Sequence, residues 1–450
     1  MLHQYELLGK HIVIDTASGA VHQTNHLAYT AIAQYEHHDK KALRALLHTQ
    51  FPDTTEDTLS ALLDEIETLK ESNQLFSSEE PYKEIAQTTK HRGQVKALCL
   101  HIANNCNLTC SYCFAGADKH HGENPLMSFE VGKQALDFLV SHSGTRRNLE
   151  VDFFGGEPLL NWEVVTQIVA YGRQLEQIHD KHFRFTLTTN GLLLNDTMIN
   201  YINEEMETVV LSLDGRPEVH DYFRKTKNGA GSYEIVIEKF QKLVQARKKG
   251  AYHIRGTFTK RNLDFLQDIL HIRALGFTEI SMEPVVCDPM LPYAITKDDL
   301  PRIFKEYEAL ASEMAKRKGT EDAFRFYHYN LGIAGGPCVH KRLVGCGAGF
   351  EYLAVTPTGQ LFPCHQFLED EAFLLGDVWQ GVQNQVPAEE IANLNVFTRP
   401  DCIDCWAKLY CGGGCAANAY HASGGVRGID QVGCAMFQKR LECATWLSCT

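Results

Sequence analysis

From Lys96 to Glu283 the chain alternates six apolar, strand-like runs with helical patterns, and few architectures accommodate that rhythm. The runs span 96–102, 148–154, 182–189, 207–213, 252–259 and 278–283, with helical periodicity between them. Strands joined by helical crossovers lie parallel, so the expected fold class is α/β, a partial (β/α)6 barrel. Chemistry in such barrels gathers at the C-terminal ends of the strands. Just beyond the first run stands CNLTCSYC, with Cys106, Cys110 and Cys113 at Cys-x3-Cys-x2-Cys spacing and Tyr112 and Phe114 bracketing the last cysteine. Three thiolates can hold three corners of a cubane iron-sulfur cluster and leave the fourth iron bare, which suits catalysis better than electron storage. The alternative is a zinc loop of the same spacing, although structural zinc closes all four positions.

At 450 residues, two or three domains are expected. The net charge of -13, without a basic stripe, speaks against a nucleic-acid partner, because phosphate binding needs clustered Lys and Arg. The start, MLHQYELLGKHIVID, lacks a basic segment followed by an apolar core, and no run is long enough for a membrane helix. A cytoplasmic location is therefore expected, where the 15 cysteines read better as metal ligands than as disulfides.

Further motifs fall at the strand ends. After the second run comes Gly155-Gly156-Glu157-Pro158, whose glycines let backbone pass close to a ligand and whose Glu157 can accept from an ammonium group. The next two runs end in Thr188-Thr189-Asn190-Gly191 and Ser212-Leu213-Asp214-Gly215, which read equally as ordinary turns. Arg224 offers a planar fork for a carboxylate or a surface salt bridge. Glu283 ends the last run, facing either a cavity or solvent, and 296–318 reads as one amphipathic helix.

Residues 1–85 read as a separate unit, with strands Tyr5–Asp15 and Ala20–Thr24 around a turn at Ser18-Gly19, then helices His26–Tyr35, Lys40–Leu47 and Thr55–Ser72. The polar stretch Ser77–Arg92 reads as a linker. Beyond residue 330 the cysteines become dense: Cys346, Cys364, Cys402-x2-Cys405-x5-Cys411-x3-Cys415 and Cys434. Seven thiolates fit one four-ligand and one three-ligand cluster more simply than two closed zinc sites. Cys99 alternates with Leu98 and Leu100 and reads as buried, while Cys287, Cys443 and Cys449 fit no ligand pattern.

With CNLTCSYC, the GGEP tetrad and the C-terminal cysteine layout together, the chain resembles the radical S-adenosylmethionine (SAM) enzymes with a SPASM extension. The resemblance implies three domains: a winged-helix-like leader-peptide recognition domain at 1–85, the partial barrel at 93–310, and a cysteine-rich SPASM domain at 330–450. It implies SAM as cofactor, contacted by Tyr112, Gly155, Gly156, Glu157, Asn190, Ser212, Asp214 and Arg224, with Ser212 facing the ribose or carboxylate of the nucleoside, Asp214 beside it and Arg224 on the cofactor carboxylate. It also implies three [4Fe-4S] clusters: one on the Cys106 trio, one on Cys402, Cys405, Cys411 and Cys434, and one on Cys346, Cys364 and Cys415. Cys338 is placed to close the last of these, which otherwise stays open to a substrate thiolate.

In this family a reduced cluster cleaves SAM to a 5'-deoxyadenosyl radical that takes a hydrogen atom from the substrate. The layout looks most like maturases of SCIFF-type peptides, which join a cysteine sulfur to a carbon in a cysteine-rich precursor held through its leader. A flavodoxin or ferredoxin would supply electrons. The alternatives are a sulfatase-maturing, formylglycine-forming enzyme or a carbon-carbon cross-linking one. From another class come an electron carrier or a zinc-dependent binding module, and for the N-terminal unit a dimerisation or packing role. No general base is identified; Glu283, Asp214 and several histidines are candidates.

Overall fold

The fold is described from a computed structural model covering residues 1–88, 94–113, 126–332, 339–368 and 370–450, the side chains of Thr88 and His340 excepted. Phe114 and Cys338 therefore lie outside the described residues.

The expected strand Tyr5–Asp15 is in fact a hairpin of β1 (Leu2–Leu7) and β2 (Lys10–Asp15). Its turn is Leu8-Gly9, both at positive φ (46° and 79°), the hand that matches strand twist. A leucine in the first turn position hides it from sequence rules. β3 (Val21–Thr24) pairs with β2, giving the order β1-β2-β3. The helices α1 (His26–Gln34), α2 (Lys40–Gln50) and α3 (Glu56–Glu71) follow, capped by Asn25, Asp39 and Thr55. Period-two alternation splits β2 between two cores. Val13 packs with Leu43, Leu47 and Leu59 beneath the helices, while Ile12 and Ile14 join the main core of the molecule. The stretch expected as a linker holds α4 (Glu80–Thr88), and the Tyr82 hydroxyl donates to the Ala17 carbonyl at 2.9 Å.

The expected parallel strands form within one residue of their anticipated spans: β4 (Ala97–Ala103), β5 (Asn148–Gly155), β6 (His182–Thr189), β7 (Thr208–Ser212), β8 (Ala251–Phe258) and β9 (Glu279–Pro284). They pair in sequence order, all parallel. Between them run α5 (Phe129–His142), α6 (Trp162–Ile178), α7 (Asp196–Glu205), α8 (Pro217–Phe223), α9 (Tyr233–Ala246) and α10 (Phe265–Ala274). Leu149, Val151 and Phe153 alternate inward along β5, and Phe183, Phe185 and Leu187 along β6, all essentially inaccessible. Each such side chain contributes about 1.5–3 kcal/mol by leaving water.

The sheet continues past both ends of this set. After α11 (Leu300–Arg317), β10 (Arg325–Phe326) adds beside β9. On the other edge β11 (Tyr352–Val355) pairs parallel with β4, followed by antiparallel β12 (Gln360–Phe362), β13 (Gly376–Asp377) and β14 (Gly381–Val382). The remaining helices are α12 (Val339–Val344), α13 (Val386–Ala392), α14 (Pro400–Ile403), α15 (Lys408–Cys411), α16 (Ala416–Ser423) and α17 (Gln431–Ser448). α17 lies along α11 and reaches β1, where the Tyr5 hydroxyl donates to the Glu442 carbonyl at 2.9 Å. Among the described residues no helix is long and apolar enough to cross a membrane.

Candidate active site

The loop carrying Cys106, Cys110 and Cys113 leaves β4 and is gripped from β5. The Gly156 amide donates to the Ala103 carbonyl at 2.7 Å, and the Glu157 amide to the Asn105 carbonyl at 2.9 Å. A Cβ on Gly155 would sit 2.4 Å from the Ala103 oxygen, and one on Gly156 2.2 Å from that of Asn105. The two glycines thus admit the cysteine loop itself, where close approach of a ligand was expected. From the other side the Thr109 amide donates to the Lys225 carbonyl at 2.7 Å.

Glu157 is 1% exposed and nearly spent on its own chain. Its Oε1 accepts from the Thr189 hydroxyl (2.7 Å) and the Leu159 amide (3.1 Å), and its Oε2 from the Asn190 amide (2.8 Å). Burial pushes the carboxyl up to about 7 in spite of these bonds. Asn190 in turn donates from Nδ2 to Cys106 Sγ (3.5 Å) and to Asn107 Oδ1 (2.7 Å). Glu157 therefore orients a residue that touches the first cysteine, besides facing the cavity.

Asp214, expected beside the nucleoside, lies one layer behind the cavity because its carboxylate is fully engaged. Its Oδ2 accepts from the Tyr112 hydroxyl (2.5 Å) and Arg224 Nε (2.9 Å), and its Oδ1 from the Thr257 amide (3.0 Å). Asp214 is 0% exposed, and taking either partner away would strand a buried charge. Arg224 is not a surface salt bridge, with 12% of its side chain accessible. Its Nε is committed to Asp214, and it lines the cavity described next.

These residues enclose a cavity of about 200 Å³ lined by the Cys106 trio, Gly155, Gly156, Glu157, Asn190, Ser212 and Arg224. Residues that sequence reasoning passed over also line it: Arg255, Thr257, His365 and Gln366. Arg255 carried a signal, a charge in the middle of a strand, and Gln366 follows the candidate ligand Cys364 by two positions. A second cavity, of about 640 Å³, is lined by Cys411, Cys415, Cys434, Arg399 and Arg440. The segment Glu283–Val286 walls both.

The thiols interact electrostatically in three sets. Cys106, Cys110 and Cys113 form one, Cys346, Cys364 and Cys415 another, and Cys402, Cys405, Cys411 and Cys434 the third. Among the described residues no three Cys, His, Asp or Glu side chains close on a single ion. Thiolates that each bind a different iron stand further apart than the ligands of one zinc, so the sets suit clusters better. The donors fit that role. Cys106 Sγ accepts from the Leu108 amide (3.4 Å), Cys405 Sγ from Gln438 Nε2 (3.5 Å), and Cys415 Sγ from the Asn418 amide (3.5 Å). Asn107 Nδ2, beside the trio, is buried without a hydrogen-bond partner among the described residues. Burial pushes Cys106 up to about 11 and Cys110 up to about 12, so bound iron is what would make them thiolates. Cys99 is buried at the strand position expected of it, and the Cys443 side chain is buried as well.

Residues 100–270 match the family model described as Radical SAM superfamily. The chain is 30% identical over 190 residues to the uncharacterized protein MJ0907 of Methanocaldococcus jannaschii, a match covering 42% of this chain and 62% of that protein. Its fold resembles anSMEcpe solved with bound AdoMet, with a TM-score of 0.65 and 19% identity over 77% of this chain and 96% of that one. It also resembles SuiB of Streptococcus suis solved with its precursor peptide SuiA, with a TM-score of 0.55 and 15% identity over 96% of this chain and 98% of that one.

Proposed function

We propose that this protein is a radical SAM maturase that forms a cysteine thioether cross-link in a ribosomally made, cysteine-rich precursor peptide. The observation that carries the reading is the wall Glu283–Val286, common to both cavities. One extended substrate can then reach from the Cys106 trio to Cys411, Cys415 and Cys434. Its reacting carbon would lie at the first site and its sulfur toward the second. The fold likeness to SuiB, solved with a precursor peptide, supports a peptide substrate.

When bound at the Cys106 trio, cluster and S-adenosylmethionine supply a hydrogen-abstracting deoxyadenosyl radical. The chain's own residues do the rest. Arg224 donates to the cofactor carboxylate, Glu157 accepts from its amino group, and Ser212 contacts the sugar. Tyr112 and Asp214 fix Arg224, Asn190 orients Cys106, and Gly155 and Gly156 clamp the loop. Leu108, Phe154, Val285 and Val286 exclude water from the reacting carbon. Cys402, Cys405, Cys411 and Cys434 hold one auxiliary [4Fe-4S] cluster, and Cys346, Cys364 and Cys415 the other, making three in all. β3 is one of the two outer strands of its sheet, with no strand beyond it among the described residues, and, since β1 is packed by α17, the leader adds at β3 as a further strand. A flavodoxin or ferredoxin delivers the electron.

The test is anaerobic turnover of reconstituted protein with S-adenosylmethionine, dithionite and a synthetic cysteine-containing precursor. The expected product has lost one pair of hydrogens and no longer reacts with iodoacetamide, and 5'-deoxyadenosine accumulates. A product that keeps its free thiol would indicate carbon-carbon linkage, and a hydrazide-reactive aldehyde would indicate formylglycine formation. Absence of 5'-deoxyadenosine would sink the reading in favour of an electron carrier or binding module. Cys106→Ala is expected to lower 5'-deoxyadenosine release on the order of 10³-fold or more.

A further inference from the structure

Three charged side chains meet at the seam between the two cavities with hydrogen-bonding capacity that the chain itself does not use. Glu283 sits at the end of β9 and lines both cavities. The other carboxylates on these walls are engaged, Glu157 as described and Asp430 in capping α17 through the Gly433 amide at 3.0 Å. Glu283 has one near partner, His328, whose Nε2 lies 3.5 Å from Oε1, and 35% of the Glu283 side chain stays accessible. His328 Nε2 is nearer to the Ser281 hydroxyl, at 3.0 Å. Burial would raise the Glu283 carboxyl, yet His328, Arg255 and Arg440 outweigh it and hold Glu283 ionised. His328 itself is driven down to about 4 by burial. Arg255, from β8, lines the smaller cavity, and Arg440, from α17, lines the larger. Arg440 Nε is buried with no hydrogen-bond partner among the described residues.

We propose that Arg255, Glu283 and Arg440 form a clamp for the main chain of the substrate peptide as it passes from one cavity to the other. This rests on the peptide-maturase reading above. Glu283 accepts from a substrate backbone N–H, and the two arginines donate to carbonyls on either side of it. A peptide drawn into an enclosed passage must replace the water bonds of its backbone, and a donor-acceptor-donor array supplies partners for that. The guanidinium groups provide several donors each, so the clamp reads backbone, not side chains. It is a positioning site: it sets which residue of the peptide faces the Cys106 trio. A carboxylate held ionised between two arginines is a weak proton acceptor, which favours hydrogen bonding to the substrate over general-base work.

The experiment uses full-length reconstituted protein and a short synthetic peptide carrying one cysteine, plus a series in which single backbone amides are replaced by esters. One ester position is expected to raise KM roughly 10- to 100-fold in the wild type, the scale of a hydrogen bond to a charged group. Glu283→Gln, which keeps an acceptor oxygen but loses the charge, is expected to raise KM for the amide peptide by a smaller factor and to shrink the extra penalty of that one ester. Arg440→Met is expected to raise KM while leaving the ester penalty in place. Iron content and circular dichroism report whether each variant has folded. If the ester penalty persists undiminished in Glu283→Gln, or no ester position matters in the wild type, the clamp is wrong while peptide maturation stands. If the wild type modifies no cysteine peptide, the maturase reading falls and the clamp falls with it.

Discussion

The two cysteine-bearing regions are held by different physics. The Cys106 loop is fixed by the parallel sheet: β5 grips it through Gly155, Gly156 and Glu157, and β6 reaches it through Asn190. Behind it lies the main apolar core, which includes Leu98, Val151, Phe185 and Phe326 and extends to Trp446 on α17. Of the C-terminal thiols, Cys402 and Cys411 sit instead on four-residue helices, α14 and α15, ahead of the run Gly412, Gly413 and Gly414, all at positive φ, whereas Cys434 sits on the long α17 and Cys364 in an apolar cluster of its own. The apolar cluster beside α12 and α15 has, among the described residues, Leu343, Val396 and Leu409 as its buried members. The first region is preorganised by burial, while the stretch from Cys402 to Cys415 has little apolar area of its own and depends on what its thiols bind.

The largest effect should come from removing iron. Chelation is expected to expose residues 395–430 to limited proteolysis while β4–β9 stay protected; equal protection of both regions would break the comparison. Next come the glycines. Gly156→Ala places a Cβ against the Asn105 carbonyl and should cost about 1–3 kcal/mol with loss of cluster from the trio. Gly414→Ala meets nothing within 4 Å and should cost only about 1 kcal/mol, from its φ of +77°. Denaturant midpoints of the two variants measure the difference.

The sheet has one weak point of its own. Burial, then the neighbouring Glu150, pushes the Asp152 carboxyl up to about 6. Between the ordinary carboxylate range and about 6 the folded chain keeps a proton that the unfolded chain has released, so this group lowers stability as pH rises through that window. Asp152→Asn is expected to gain up to about 2 kcal/mol above pH ~6 and nothing below pH ~4, read by urea denaturation at both ends. The smallest effect belongs to the N-terminal unit, which props up the C-terminal thiols. His3 stacks on Trp406, next to Cys405, with ring centroids 3.5 Å apart and planes 4° from parallel. His3→Ala should cost about 0.5–1.5 kcal/mol and speed proteolysis near Cys405 without touching the sheet.

Much of the sheet was legible because each strand and helix announces itself by a local period, and local periods survive without tertiary context. The Cys106 trio stood out for a related reason, since its spacing is written along the chain, and the structure sets all three thiols on one cavity. The turn at Leu8-Gly9 was not, because its conformation comes from pairing β1 with β2 against the core and not from turn chemistry. Helix α4 was missed because its polar composition reads as linker, and its packing under Ala17 and α12 is tertiary.

The chain by itself determined which segments become strands and helices, and which cysteines are spaced to share a centre, since both are matters of near neighbours. Only the tertiary structure decided that β11, some 250 residues downstream, completes the edge beside β4, that Asp214 serves Tyr112 and Arg224 from behind the cavity, and that Arg255, Glu283 and Arg440 converge on one seam. These are meetings of distant segments, and what fixes them is shared burial and charge balance, which no local pattern encodes.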